Sequence, residues 1–266
     1  MKHWVDRSVL GFWQDKEMRL EAAHLLDIAD GVLEEQIPAS TSFLGMALAQ
    51  WFEGILKREH LAYQVQGGFP DSERVCFFVG INSESLVEYG KEEIALLSVI
   101  SLDPQAELEH RQILGSLLGL GLKRELIGDI RSGLQGMVVA VTEEIALYLI
   151  QEWKKAGRVN LRVERVHGEP VLREVSGEER RITVASSRID AVVASGFNVA
   201  RGVVQEWINQ GKIKRNDLII SKTDLEVKPG DIISCRGQGR LRLLELKETR
   251  KGRIAWSIIL YRTQKR

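Results

Sequence analysis

The chain has 266 residues, 44% of them apolar, enough for two or three domains with real cores. Lys plus Arg and Asp plus Glu each number 37, so the net charge is zero and a uniformly basic protein is excluded. No apolar run approaches the ~18–20 residues that span a bilayer, and the charged start MKHWVDRSVLGFWQDKE has no signal-peptide core, so a soluble cytoplasmic protein is expected.

Residues 1–35 read as helix, with Phe12, Met18, Leu20, Leu25, Leu26 and Ile28 recurring on one face. Pro38 breaks the pattern. Thr41 and Ser42 start a second helix to about Lys57, with Phe43, Leu44, Leu48, Trp51, Phe52, Ile55 and Leu56 as its buried side. Residues 61–66 and 74–79 read as strands around a Gly67-Gly68-Phe69-Pro70-Asp71 turn. Residues 1–85 are therefore expected to form a helix-plus-hairpin domain.

A middle domain is expected over 86–170. Its order is strand (94–102), helix (107–120), short elements around Ile127 and Ile130, strand (136–141), a helix capped by Thr142 that runs to Lys155, and strand (161–163). That order predicts a ferredoxin-like split unit, the topology that RNA-recognition motifs also use. Their signature strand with stacking aromatics is missing here. The polar, turn-rich stretch 168–180 joins it to a third domain, 181–266, with 171–175 as an added strand.

The charge is split along the chain. Residues 181–266 hold 18 Lys plus Arg against 8 Asp plus Glu, whereas the other 180 residues hold 19 against 29. A basic third on an acidic body fits one nucleic-acid face. Within it, Ser186 and Ser187 are candidate N-caps for a helix carrying Ile189, Val192 and Val193 and stopping at Gly196. Asn198 can cap a second helix with Val203, Val204, Trp207 and Ile208, ended by Gly211. Residues 212–214 and 218–220 read as strands around a polar Arg215-Asn216-Asp217 turn. Pro229-Gly230-Asp231 is another turn, 232–235 a strand, and 241–248 with 254–261 a hairpin around Arg250-Lys251-Gly252-Arg253.

Arg188-Ile189-Asp190, Gly196, Arg201, Ile208, Gly211-Lys212-Ile213, Asn216, Lys222, Val227 and Gly230-Asp231-Ile232-Ile233 together resemble the S-four RNA-binding domain, named after a small-subunit ribosomal protein. Ala200 stands where that family usually has Ser, and Arg215-Asn216-Asp217 replaces its Val-Asn-Gly. Arg188, Arg201, Lys212, Lys214, Arg215, Lys222 and Arg236 are the expected RNA contacts, converging on one face to neutralise phosphates. No stacking platform is evident, so structured RNA read by shape and backbone is expected rather than a specific single strand. Lys123, Arg124 and Arg253 are secondary candidates.

A second resemblance covers HRQILGSLLGLGLKRELIGDI, residues 110–130. Gly115, Leu118-Gly119, Gly121, Arg124-Glu125 and Ile127-Gly128-Asp129-Ile130 resemble the signature of the YlmH family of bacterial RNA-binding proteins. Gly67-Gly68-Phe69-Pro70 with Glu73-Arg74, and Phe43-Leu44, are similar to further segments of that family. The likeness runs closest to the cyanobacterial and plastid branch, whose name attaches it to photosystem II. The resemblance implies a ribosome-associated factor that binds the large subunit, its rRNA and tRNA through the C-terminal domain. It also implies a link to rescue or quality control of stalled translation, and in bacterial relatives a link to cell division.

The expected fold class is α+β, and the expected protein is not an enzyme. Gly115 to Gly121 lies inside a helical stretch without the strand-turn-helix context of a nucleotide loop. The five His residues are scattered, so no metal is expected. No nucleophile elbow appears, and no cofactor is expected. Cys76 and Cys235 lack any paired spacing and read as buried thiols. Two rival readings stay open: an RNA-modifying enzyme with a site in 1–166, and an assembly factor for a photosynthetic complex.

Overall fold

The computed structural model describes residues 4–87, 93–173, 177–249 and 252–262. It is an α+β protein divided into two compact units, Met1–Glu174 and Val175–Arg266. The first unit takes in both stretches expected as separate domains at 1–85 and 86–170.

In the first unit, α1 (Lys16–Glu35) starts at Asp15, whose side chain accepts from the Met18 amide at 2.9 Å. The expected helix over 1–35 is thus cut at its cap, and Arg7–Phe12 forms a separate 3-10 turn. Gln36 ends α1 in the left-handed region. The second helix, α2 (Met46–Arg58), begins later than expected. Residues 41–44 are claimed by strand pairing instead: the Thr41 amide donates to Phe77 and the Leu44 amide to Val75. Strands β1 (Ala39–Ser40), β2 (Ala62–Gln66) and β3 (Cys76–Gly80) make a small sheet in the order β1-β3-β2.

The rest of the unit is β4 (Ile94–Ser101), α3 (His110–Gly119), β5 (Ile127–Gly133), β6 (Gly136–Thr142), α4 (Glu143–Glu152), β7 (Lys155–Ala156) and β8 (Val159–Arg165). Its sheet order, β5-β6-β4-β8-β7, is antiparallel throughout. With β7 as an added edge, this is the expected split β-α-β arrangement. Alternate residues face opposite sides. Leu97, Val99, Val139 and Val141 pack with Ile113, Leu117 and Leu149 from α3 and α4. Val138 and Ala140, on the other side, pack under Phe43, Phe69 and Phe78.

A polar clasp holds the two parts together. Asp129 accepts from the amides of Glu73 at 2.8 Å and Arg74 at 3.2 Å, and from the Arg131 guanidinium at 3.0 Å. Arg74 in turn donates to the carbonyls of Phe43 and Ile127, at 2.7 and 3.0 Å. Gly128 lies so close to Phe43 that an added Cβ would sit 2.6 Å from its ring and 2.9 Å from the Ala140 methyl. Gly128→Ala should therefore destabilise the first unit by about 1–3 kcal/mol, the usual cost of overpacking, read as a lower thermal midpoint.

The second unit runs β9 (Glu178–Val184), α5 (Ile189–Phe197), α6 (Arg201–Asn209), β10 (Ile213–Arg215), β11 (Leu218–Ile219), β12 (Ile232–Cys235), β13 (Gly239–Glu248) and β14 (Ile254–Arg262). One antiparallel sheet has the order β11-β10-β12-β13-β14-β9. Ile213, Ile233, Cys235, Leu241, Leu243, Trp256 and Ile258 point into a core shared with Val192, Val193, Val204 and Ile208 of the helices. Gly196 is not the expected stop. It lies inside α5, where an added Cβ would meet Leu241 Cδ1 at 2.7 Å. Asn198, expected to cap α6, instead ends α5 in the left-handed region at φ 58°. The basic hairpin turn expected at 250–253 is described only from Gly252 onward; Arg250 and Lys251 lie outside the described residues.

Cys76 and Cys235 are free and buried. Burial pushes the Cys76 thiol up to about 12 and Cys235 up to about 11. The thiolate is the reactive form, so iodoacetamide at pH 8 should leave both unlabelled in the folded protein and label both after denaturation. Rapid labelling before denaturation, read by mass spectrometry, would contradict this packing.

Candidate nucleic-acid interface

Asp190 organises the first group of cations. It sits in the first turn of α5, where a carboxylate complements the helix dipole. Its side chain is fully buried. Arg188 approaches it with Nε and Nη2, both at 3.3 Å, and Arg201 donates from Nη2 at 2.6 Å. Burial opposes ionisation of Asp190, but the hydrogen bonds from the two arginines outweigh it and hold the carboxyl below its usual range. The arginine side chains stay 39% and 53% exposed. Two guanidinium groups are thus fixed on one buried carboxylate, with an excess positive charge turned outward.

Both arginines stand at helix starts. Arg188 occupies the N-cap of α5 and Arg201 is the first residue of α6, after Ala200; neither cap residue makes a side-chain capping bond. The expected caps, Ser186 or Ser187 and Asn198, are not used. Gly202, next in α6, is exposed and faces open space. Backbone N–H groups at a helix start beside arginine suit a phosphate. The loop carrying Lys222 runs alongside: the Ile189 amide donates to Leu225 and the Val227 amide to Ser187. Lys222 is exposed in that loop, which also brings Asp224 and Glu226.

The other expected contacts are not in this group. Arg215 donates from Nε to buried Asp231 at 2.8 Å. Asn216 bonds the other oxygen of Asp231 at 2.8 Å and accepts from the Ile232 amide. Arg215 thus braces the core edge. Asn216 and Asp217 both have positive φ, 49° and 69°, and form a two-residue hairpin turn of the kind that twists with its strands. Lys212 follows the far end of α6, which at nine residues is about 13 Å long. Lys212, Lys214 and Arg236 are exposed and alternate with the core residues Ile213 and Cys235. They lie on the sheet face away from the helices.

The secondary candidates separate as well. Lys123 is exposed and paired with Glu125 at 3.6 Å. Arg124 turns inward and donates to the carbonyls of Ile127 and Gly128. Arg253 donates to the Thr183 carbonyl on β9, at the opposite sheet edge from β10. Of the glycines in the 110–130 signature, Gly115 and Gly119 face open space, and only Gly128 is demanded by packing. The β4–β6 face that an RNA-recognition motif would offer to bases lies under Phe43, Phe69 and Phe78. Among the described residues, no cluster of His, Cys, Asp or Glu could hold a metal ion, and no helix is long and apolar enough to cross a membrane.

Residues 90–169 match the family described as the putative RNA-binding domain in YlmH, and residues 187–233 match the S4 (S-four) domain. The chain thus carries a YlmH-type RNA-binding domain followed by an S4 domain. It is 30% identical over 172 residues to the ribosome-associated protein quality control protein P2 of Bacillus subtilis (strain 168). That alignment spans 64% of this chain and 66% of the relative, just under two thirds of the relative's length. The cell division protein ylmH from Streptococcus pneumoniae shares the fold, with a TM-score of 0.51 at 21% identity over 58% of this chain and 94% of that one. Arg188, Asp190 and Arg201 fall inside the S4 match. So does the Asn216–Asp231 pair that shapes its turn. Strands β9, β13 and β14 lie outside it and extend the S4 sheet.

Proposed function

We propose that this protein is a non-catalytic RNA-binding protein of the YlmH type that docks through its second unit on ribosomal RNA or tRNA at the large ribosomal subunit, in translation quality control. The observation that carries the reading is the pair Arg188 and Arg201, fixed on buried Asp190 at the starts of two helices within the S4 match. Charge-assisted contacts from preset guanidinium groups suit phosphates held at defined spacing, as in folded RNA. The Bacillus relative's printed name supports the ribosomal setting. On this reading the protein works beside ribosomes in the cytoplasm.

The test is a comparison of full-chain binding to large-subunit rRNA, tRNA and an unstructured oligonucleotide of equal length. Folded RNAs should bind more tightly, with affinity falling steeply as salt rises. Equal affinity for the unstructured strand would overturn recognition by shape and backbone.

A further inference from the structure

We infer that the outer face of α4 docks a basic, amphipathic helix of another protein. This goes beyond the RNA reading and concerns the first unit, on a surface of the opposite charge. Helix α4 carries two stripes. Ile145, Ala146 and Leu149 face inward and pack with Leu97, Val139 and Val141 of the sheet. Glu144, Leu147, Tyr148, Gln151 and Glu152 recur at three- and four-residue steps on the other side, and all five are exposed. Leu147 is 65% exposed and Tyr148 43%. The opposite side of the sheet is closed under Phe43, Phe69 and Phe78, so the helix side is the one left to meet a partner.

Two neighbouring apolar side chains, one of them a tyrosine, give a partner helix an anchor point. Their rim decides which partner. Glu144 stands a turn before them and Glu152 a turn after, about 12 Å apart along the axis. Glu144 accepts from the Thr142 hydroxyl at 3.5 Å, and neither Glu144 nor Glu152 makes an ion pair among the described residues. Glu143, off this stripe, is already tied to Arg165. Lys154, just past the helix, turns its amine back onto the Ile150 carbonyl at 3.0 Å. A second copy of this chain would set acid against acid. Antiparallel pairing brings Glu144 to Glu152 of the other copy, and parallel pairing brings each glutamate to its own counterpart. RNA and anionic lipid are repelled by the same two carboxylates. A helix with apolar anchors and Lys or Arg a turn to either side matches both the apolar pair and its acidic flanks.

The test is titration of the full chain with a fluorescein-labelled helical peptide that has leucines on one face and lysines on both flanks. Its acidic twin, with glutamate for each lysine, should bind about 10-fold more weakly or not at all. Leu147→Ala with Tyr148→Ala should weaken the lysine peptide about 10-fold. The thermal midpoint of that variant should stay at the wild-type value, because both side chains are exposed. Glu144→Lys with Glu152→Lys should reverse the preference, so that the acidic twin binds more tightly. Equal binding by the wild type and the alanine pair, or a preference that the charge swap leaves unchanged, overturns the proposal. A wild-type dimer in sedimentation that becomes a monomer in the alanine pair gives the face to a second copy. Loss of rRNA binding in the alanine pair gives it to RNA, and in either case the basic helix falls as the occupant. A wild type that discriminates the peptides as expected but binds no rRNA leaves this site standing and overturns the RNA reading instead.

Discussion

Full-chain protein with Arg188→Ala and Arg201→Ala is expected to bind large-subunit rRNA about 10–100-fold more weakly, with a salt slope lower by about 2. The two side chains are the exposed ends of a cluster whose third member, Asp190, is fully buried. Removing both leaves that carboxylate without its guanidinium partners, and a buried charge stripped of partners costs about 3 kcal/mol or more. Stability therefore falls along with affinity. Adding Asp190→Asn separates the two effects. The triple variant should recover much of the lost stability, because no charge is left buried, and none of the lost affinity. Asp190→Asn alone should bind RNA less tightly with an unchanged salt slope, since both cations remain but are no longer held. The carboxyl is depressed below its ordinary value, so its stabilising contribution is present above the unfolded value near 4 and lost as pH falls through the folded one. An unchanged salt slope in the double alanine variant would remove both arginines from the interface.

Asp129→Ala is expected to destabilise the first unit by about 3 kcal/mol, lowering its thermal midpoint by roughly 6–12 °C. The carboxylate gathers two backbone amides from a segment more than fifty residues away and a guanidinium from two positions along its own strand. Removing it leaves those donors facing a half-buried seam. RNA affinity of the folded variant should stay at the wild-type level, because every group in the clasp belongs to the first unit. A melt unchanged from wild type would show that the clasp is incidental. Normal melting with lost RNA binding would give Asp129 a functional role instead of a structural one.

The elements were legible wherever periodicity was local. The split strand-helix order of the middle sheet, the two short helices after residue 186 and the hairpin that follows all show in apolar spacing. Helix ends were less legible, because tertiary partners decide them. Thr41 to Leu44 read as a helix start, yet β3 takes their backbone bonds. Gly196 read as a stop, yet Leu241, 45 positions away, needs its missing side chain. Asn198 then does what Gly196 was expected to do.

The site was legible in residue type and not in arrangement. Asp190 stood in the motif, but its role as the anchor for Arg188 and Arg201 depends on α6 folding back beside α5. Arg215 carried the same charge signal as its neighbours; only the packing of Asp231 against it shows that it braces the core. The single face expected for all seven cations divides in two because strand alternation sends Lys212 and Lys214 outward while the arginine pair sits at the helix starts.

The measurement that tests the central claim most directly is sedimentation of cell extract through sucrose gradients at low and high salt, with sequencing of RNA crosslinked to the protein. Co-migration with large ribosomal subunits at low salt, release at high salt, and crosslinks on rRNA or tRNA that vanish in the Arg188→Ala, Arg201→Ala variant are the predicted result. Migration at the top of the gradient at both salts, with no RNA recovered, would contradict it.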